Sequence, residues 1–226
     1  GIEGQGRGIY LLSSDNNQIL DTISSNNEDA GIWMVTSSDN SIYSSSFQNN
    51  IKGIHMEEGS NNNEISENDL FSNHLGISLH SSNENMISNN DIRYNNQDGI
   101  QLENADNNII RNNYIEDNIE NGIELFESNH NIISRNNVKR NGDEGIDISE
   151  SNNSIIKNNH IEGNDGKGIE ITGLTNSGYS YNNVVRYNLI KNNSWNGVRL
   201  FSVNNNIIET NYIEENENEG LILSSS

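Results

Sequence analysis

The strongest constraint on this chain is a glycine that keeps returning, followed each time by an apolar residue, any residue, and a second apolar residue. It falls at Gly8, Gly31, Gly53, Gly76, Gly99, Gly122, Gly145, Gly168, Gly197 and Gly220. The intervals between neighbours in that series are 23, 22, 23, 23, 23, 23, 23, 29 and 23 residues. A unit this short cannot bury its own apolar side and must stack on its neighbours, so the chain reads as a solenoid.

Three apolar bursts recur in every unit. The first is Ile100-Gln101-Leu102, matched by Ile123-Glu124-Leu125 and Ile146-Asp147-Ile148; the second is Ile109-Ile110, matched by Ile132-Ile133 and Ile155-Ile156. The third is Ile115, matched by Val138, Ile161, Ile190 and Ile213. Apolar residues two apart share one side of a strand, so the first burst predicts a strand with one buried face. A leucine-rich repeat could carry the same period, but it needs a helical or 3₁₀ return. Here the returns are Asn, Ser and β-branched residues, poor helix formers. The expected fold is therefore all-β: a single-stranded right-handed parallel β-helix of about ten 23-residue coils, forming one domain over residues 1–226. Stacking at about 4.8 Å per coil would give a rod of roughly 48 Å. It would align Ile77, Ile100, Ile123, Ile146 and Ile169 in one aliphatic column, and Leu79, Leu102, Leu125, Ile148 and Ile171 in another.

Asparagine also falls into columns. One is Asn68, Asn90, Asn113, Asn136, Asn159, Asn188 and Asn211; a second is Asn95, Asn118, Asn141, Asn164, Asn193 and Asn216; a third is Asn85, Asn108 and Asn131, continued by Ser154. Asn tolerates left-handed turn geometry, and stacked amides can hydrogen-bond along the axis, so these columns read as structural ladders. Two departures interrupt the period. One is six extra residues around Leu174–Tyr181, which reads as a loop on one face; the other is Glu57-Glu58-Gly59, one residue longer than its neighbours, which reads as a bulge.

Composition narrows the function. Only 31% of residues are hydrophobic and mean hydropathy is -0.78, but the apolar residues are periodic, and periodicity outranks bulk composition. Net charge is -21, which repels nucleic-acid phosphates and anionic lipid and excludes a nucleic-acid partner. No apolar run is long enough to insert in a membrane. Cysteine is absent, so disulfides, thiolate metal sites and a cysteine nucleophile are excluded. The first twenty or so residues lack the basic start and apolar core of a signal peptide. The chain opens and closes within the repeat without a polar cap, so the sequence is expected to be a fragment of a longer protein, able to associate end to end.

The coil Gly-Ile-x-Leu followed by Asn-x-Ile and Asn-Asn-x-Ile resembles the parallel β-helix repeats of pectate-lyase-like, carbohydrate-binding and sugar-hydrolase proteins, and those of the NosD-type periplasmic family. With its Asn, Ser and Ile bias it is also similar to archaeal cell-surface β-helix proteins of the disaggregatase type. The resemblance runs from Gly8 to Leu223. It implies a polysaccharide partner and an extracellular or cell-surface location. Family catalytic motifs do not carry over: there is no Asn-Thr-Asp, Asp-Asp or Gly-His-Gly, and without proline the alginate epimerase Asp-Pro-His cannot occur. Copper handling of the NosD kind is disfavoured by five scattered His and three Met.

Between the two buried positions of each first strand, one residue points outward. That column reads Tyr10, Trp33, His55, Ser78, Gln101, Glu124, Asp147, Glu170, Arg199 and Ile222; the next outward column reads Leu12, Val35, Glu57, His80, Glu103, Phe126, Ser149, Thr172, Phe201 and Ser224. Glu124, Asp147 and Glu170 on adjacent coils would be about 4.8 Å apart, and about 9.6 Å across two coils, near the carboxylate separations of retaining and inverting glycosidases. Crowding raises carboxyl pKa values and so supplies a general acid. These three residues are the candidate catalytic acid, base or ion ligands. Trp33, Glu103, Phe126, Arg199 and Phe201 are candidate substrate contacts, with Arg199 also expected to pair with Glu170. No resident metal or cofactor is expected, although the carboxylate trio could hold Ca²⁺. His55 and His80, a coil apart near Glu57, read as a surface pair. A glycan-cleaving hydrolase or lyase is one reading; a non-catalytic stalk or adhesin module of a surface layer is the other.

Overall fold

A computed structural model describes residues 6–173 and 180–224. The chain winds as a right-handed parallel β-helix of three sheets. The first contains ten strands in strict coil order, from Ile9–Leu12 to Leu221–Ser224, and the second and third contain nine each. About nine full turns are thus complete, with a tenth strand closing the first sheet. Among the described residues there is no helix, hence none long and apolar enough to cross a membrane.

All pairings between strands are parallel and in the register set by the glycine. Ile100, Gln101, Leu102 and Glu103 stand opposite Ile123, Glu124, Leu125 and Phe126, and these stand opposite Ile146, Asp147, Ile148 and Ser149. Both aliphatic columns of the first sheet are fully buried from Ile77 to Ile171. The third sheet adds Ile115, Val138, Ile161 and Ile190 to the same core. In the second burst only one isoleucine of each pair points inward: Ile110, Ile133 and Ile156 are buried, while Ile109, Ile132 and Ile155 lie on the outer side.

The recurring glycine is required by close approach. A Cβ on Gly122 would lie 2.4 Å from Val138 Cγ1 and 2.6 Å from the Gly145 carbonyl oxygen. Real atoms cannot approach that closely, so the first strand can pass beside the third only where no side chain intervenes.

The asparagine columns form continuous ladders. Asn113 donates its backbone N–H (2.9 Å) and its amide (3.1 Å) to Asn136 Oδ1, and Asn136 does the same to Asn159. Each amide also reaches a carbonyl of the preceding coil, as Asn136 Nδ2 does to Ile110 O at 3.0 Å. The left-handed backbone expected of these asparagines belongs instead to the residue before each one, such as Asn112 (φ 55), Arg135 (φ 57) and Asn158 (φ 57). Axial hydrogen bonding, rather than turn geometry, selects the ladder residue. The Glu57–Gly59 expansion is a bulge: Val35 pairs with Glu57, 22 residues on, whereas Ser37 bonds to Ser60, 23 residues on. Of the Leu174–Tyr181 expansion, residues 174–179 lie outside those described.

Candidate functional site

The register places the expected outward column as a continuous row. Gln101 faces Glu124, Glu124 faces Asp147, Asp147 faces Glu170, and Glu170 faces Arg199. Adjacent strands in such a sheet lie about 4.8 Å apart, so the three carboxylates are neighbours in sequence along the axis.

Their environments differ. Glu170 is buried and accepts from Lys167 Nζ at 3.0 Å and from Arg199 at 2.6 Å. Lys167 also reaches Glu144 at 2.7 Å, giving an unbroken ion chain Glu144–Lys167–Glu170–Arg199. Burial pulls the Lys167 ammonium down, but its hydrogen bonds to Glu144 and Glu170 outweigh burial and hold its pKa above the usual lysine value. Glu144 is shifted upward by burial and by Asp143, against the pull of Lys167. Glu124 accepts from Gln101 Nε2 at 2.7 Å and, with Gln101, Glu103 and Phe126, lines a hollow of about 180 Å³.

Asp147 has no salt bridge among the described residues, and its hydrogen-bond donor, Ser149 Oγ, is 3.5 Å away. Burial, followed by the charges of Glu170, Glu144 and Glu124, pushes it up to about 8, against the weaker pull of Lys167. Asp98 is pushed up to about 7 by burial and by Glu124, while a hydrogen bond from Asn121 opposes the shift. At neutral pH the first sheet thus carries, at Asp147, a carboxylic acid that retains its proton, as a general acid must.

The aromatic residues are not all beside these carboxylates. Phe126 is one strand from Asp147, on the second outward column, and Phe201 stands opposite Thr172 with the Arg199 guanidinium 4.8 Å from its ring centre. Trp33 is five strands from Asp147, about 24 Å at that spacing. Its ring is covered by the Arg7 guanidinium at 3.9 Å, its edge meets His55 at 4.8 Å between ring centres, and its Nε1 donates to Glu57 at 2.8 Å. Trp33 is therefore a packed residue rather than an open platform. His55 is buried in this cluster and its pKa is lowered by burial and by Lys52, while His80 contacts Glu103 at 3.3 Å; the two do not form a surface pair.

From Gly99 onward, the residue just before the repeat glycine forms a further polar column that the apolar pattern does not point to: Asp98, Asn121, Glu144, Lys167, Asn196 and Glu219. The same glycine alignment exposes it. Trp195, two residues before Gly197 and 55% exposed, is not marked by the apolar pattern either. It joins Lys167, Asn196, Arg199, Asn218, Glu219 and Ile222 around a hollow of about 560 Å³. Asp147 lies between the Phe126 hollow and this one along the axis. Regarding Ca²⁺, no three carboxylate or imidazole groups among the described residues converge as metal ligands; the acids are strung along the rod.

A ten-strand sheet in unbroken coil order, flanked by two nine-strand sheets in the same order, defines a β-solenoid. The chain belongs to the right-handed β-helix family, whose model, described as "Right handed beta helix region", matches residues 2–92 and 75–226. No curated protein matches it by sequence. Among solved structures it is similar to a double mutant of the periplasmic alginate epimerase AlgG, with 21% identity, TM-score 0.80, and 86% of this chain and 50% of that one covered. It is also similar to the Dettilon tailspike protein, with 16% identity, TM-score 0.77, and 90% and 47% covered. A third is the alginate lyase from Paenibacillus sp. str. FPU-7, with 14% identity, TM-score 0.70, and 96% and 89% covered. The chain spans about half the length of the epimerase it matches. At these identities the likeness is one of fold.

Proposed function

We propose that this chain is an extracellular or cell-surface β-helix that lays a polysaccharide along the outward face of its first sheet and cleaves it at Asp147. The observation that carries this reading is the carboxyl of Asp147, pushed up to about 8, without a cationic partner and flanked by two hollows. Asp147 gives its proton to the glycosidic oxygen as that C–O bond breaks. Glu124, one strand away at about 4.8 Å, is spaced as in retaining enzymes and attacks the anomeric carbon. Water then displaces Glu124, and its proton returns to Asp147. Glu170, clamped by Lys167 and Arg199, is a fixed negative charge that keeps Asp147 protonated. Phe126 and Trp195 offer ring faces to the sugars on either side, and Glu103 offers acceptors to their hydroxyls. An alginate epimerase and an alginate lyase among proteins of like fold support a polysaccharide partner.

The test is a depolymerisation and binding screen over neutral and acidic polysaccharides, with and without Ca²⁺, on wild type, Asp147→Asn and Glu124→Gln. Turnover should vanish in both variants with little change in thermal midpoint. Full activity in both would move the site elsewhere. Binding without cleavage by wild type would reduce the carboxylates to recognition, and neither binding nor cleavage would favour a non-catalytic stalk.

A further inference from the structure

The outer side of the second sheet carries two columns that the first-sheet reading does not use. One is aliphatic: Met86, Ile109, Ile132, Ile155, Val184 and Ile207 stand opposite one another across six successive strands. The other, two residues on, runs Arg111, Ser134, Lys157 and Arg186 in the same register, with Arg135 next to it at the turn. Three strand steps of about 4.8 Å separate Arg111 from Arg186, a span of about 14 Å.

These cations stand out in a chain of net charge -21. Among the described residues Arg111, Arg135 and Lys157 have no acidic partner, and Arg186 has only Glu209 at 3.6 Å. The Arg186 Nε is buried without any hydrogen-bond partner. Across the turn, Glu162 pairs with Lys139 (2.9 Å) and Lys191 (3.3 Å), and Glu116 and Asp117 share Arg140. The strip is thus a local surplus of positive charge beside an apolar stripe.

We propose that this strip, from the strand Met86–Ser88 to the strand Val184–Arg186, docks a linear anionic glycan. Sugar C–H faces would rest on the aliphatic column, and carboxylate or sulfate groups would meet Arg111, Lys157 and Arg186. A chain-like ligand is favoured over a lipid surface by charge. A plane of anionic headgroups would press against the acidic remainder of the rod, whereas a polymer parallel to the axis touches only the strip. The strip is separate from the first-sheet face and does not depend on cleavage at Asp147.

The test is binding of a fluorescent polyuronate oligosaccharide and a sulfated one, with a neutral glucan as control, at low and moderate salt. Wild type, the triple variant Arg111→Gln/Lys157→Gln/Arg186→Gln, the conservative Arg111→Lys/Arg186→Lys variant and Asp147→Asn are compared, with circular dichroism to confirm folding. The proposal expects binding of at least one anionic glycan and none of the neutral one, weakened by salt. It expects about ten-fold or more loss in the triple variant from three lost ionic contacts, with binding kept in the lysine variant and in Asp147→Asn. Unchanged affinity in the triple variant, loss in Asp147→Asn, or no anionic-glycan binding at all would overturn it. So would equal binding of single-stranded DNA or of phosphatidylserine vesicles.

Discussion

Asp147 and Glu170 face one another on adjacent strands, yet only Glu170 has cationic partners. Lys167 and Arg199 both reach Glu170, and neither reaches Asp147. This asymmetry separates two neighbouring carboxyl groups: Glu170 is held in ion pairs, and Asp147, without one, has its pKa pushed up to about 8. The six-residue expansion between Gly168 and Gly197 does not disturb the pairing, because Glu170 and Arg199 remain opposite in register across 29 residues.

The same asymmetry sets a pH dependence. Asp147 and Asp98 have pKa values raised from 3.8 to about 8 and about 7, so between those limits the folded chain holds protons that the unfolded chain has released. Their contribution to stability is complete below about pH 4 and is lost as pH rises towards 8. Thermal midpoints measured across that window should fall with pH, and the slope should flatten in Asp147→Asn and Asp98→Asn. An unchanged slope in both variants would contradict the assignment.

Lys167 holds the ion chain together. Lys167→Gln should destabilise the fold by about 3 kcal/mol, since it leaves Glu144 and Glu170 short of a buried partner. It should also move the Asp147 titration further up, because Lys167 is the charge that pulls it down. Urea unfolding and the pH profile of the variant report the two effects separately.

The repeat glycine should be irreplaceable for steric reasons. Gly122→Ala would drive a methyl into Val138 and the Gly145 carbonyl and should cost about 1–3 kcal/mol. Gly59, at φ 78 with only Asn61 Nδ2 near its Cβ position, at 3.9 Å, should accept Asn with little loss, since Asn tolerates left-handed backbone. Chemical denaturation of the two variants distinguishes close approach from turn geometry.

A break in the middle of an asparagine ladder should be costly. Asn136→Ala removes the acceptor of the Asn113 N–H and amide and the donor to Ile110 O, all buried, and should destabilise the rod by about 2–3 kcal/mol. Hydrogen exchange should show faster opening in the coils on both sides.

Much of this architecture was legible because a solenoid turns sequence position into spatial position. Once the glycines were aligned, Glu124, Asp147, Glu170 and Arg199 had to share a column, as did Phe126, Ser149, Thr172 and Phe201. Two kinds of information were not in the spacing. Side-chain rotamers decide that Arg7 covers Trp33 and that His55 is buried, and a column assignment contains neither. Likewise, the row before the glycine has no apolar periodicity to mark it, so spacing alone does not single out Glu144 and Lys167, nor the reason Glu170 and Asp147 differ. The second isoleucine burst similarly concealed that half of it points outward.

The most direct test of the account is a carbon-13 NMR titration of the side-chain carboxyls, with Asp147→Asn used to assign the Asp147 signal. The account predicts that Asp147 titrates at about 8 and is protonated at neutral pH. Titration near the ordinary aspartate value of about 3.9 would leave the first-sheet face without its proton donor and contradict the proposed chemistry.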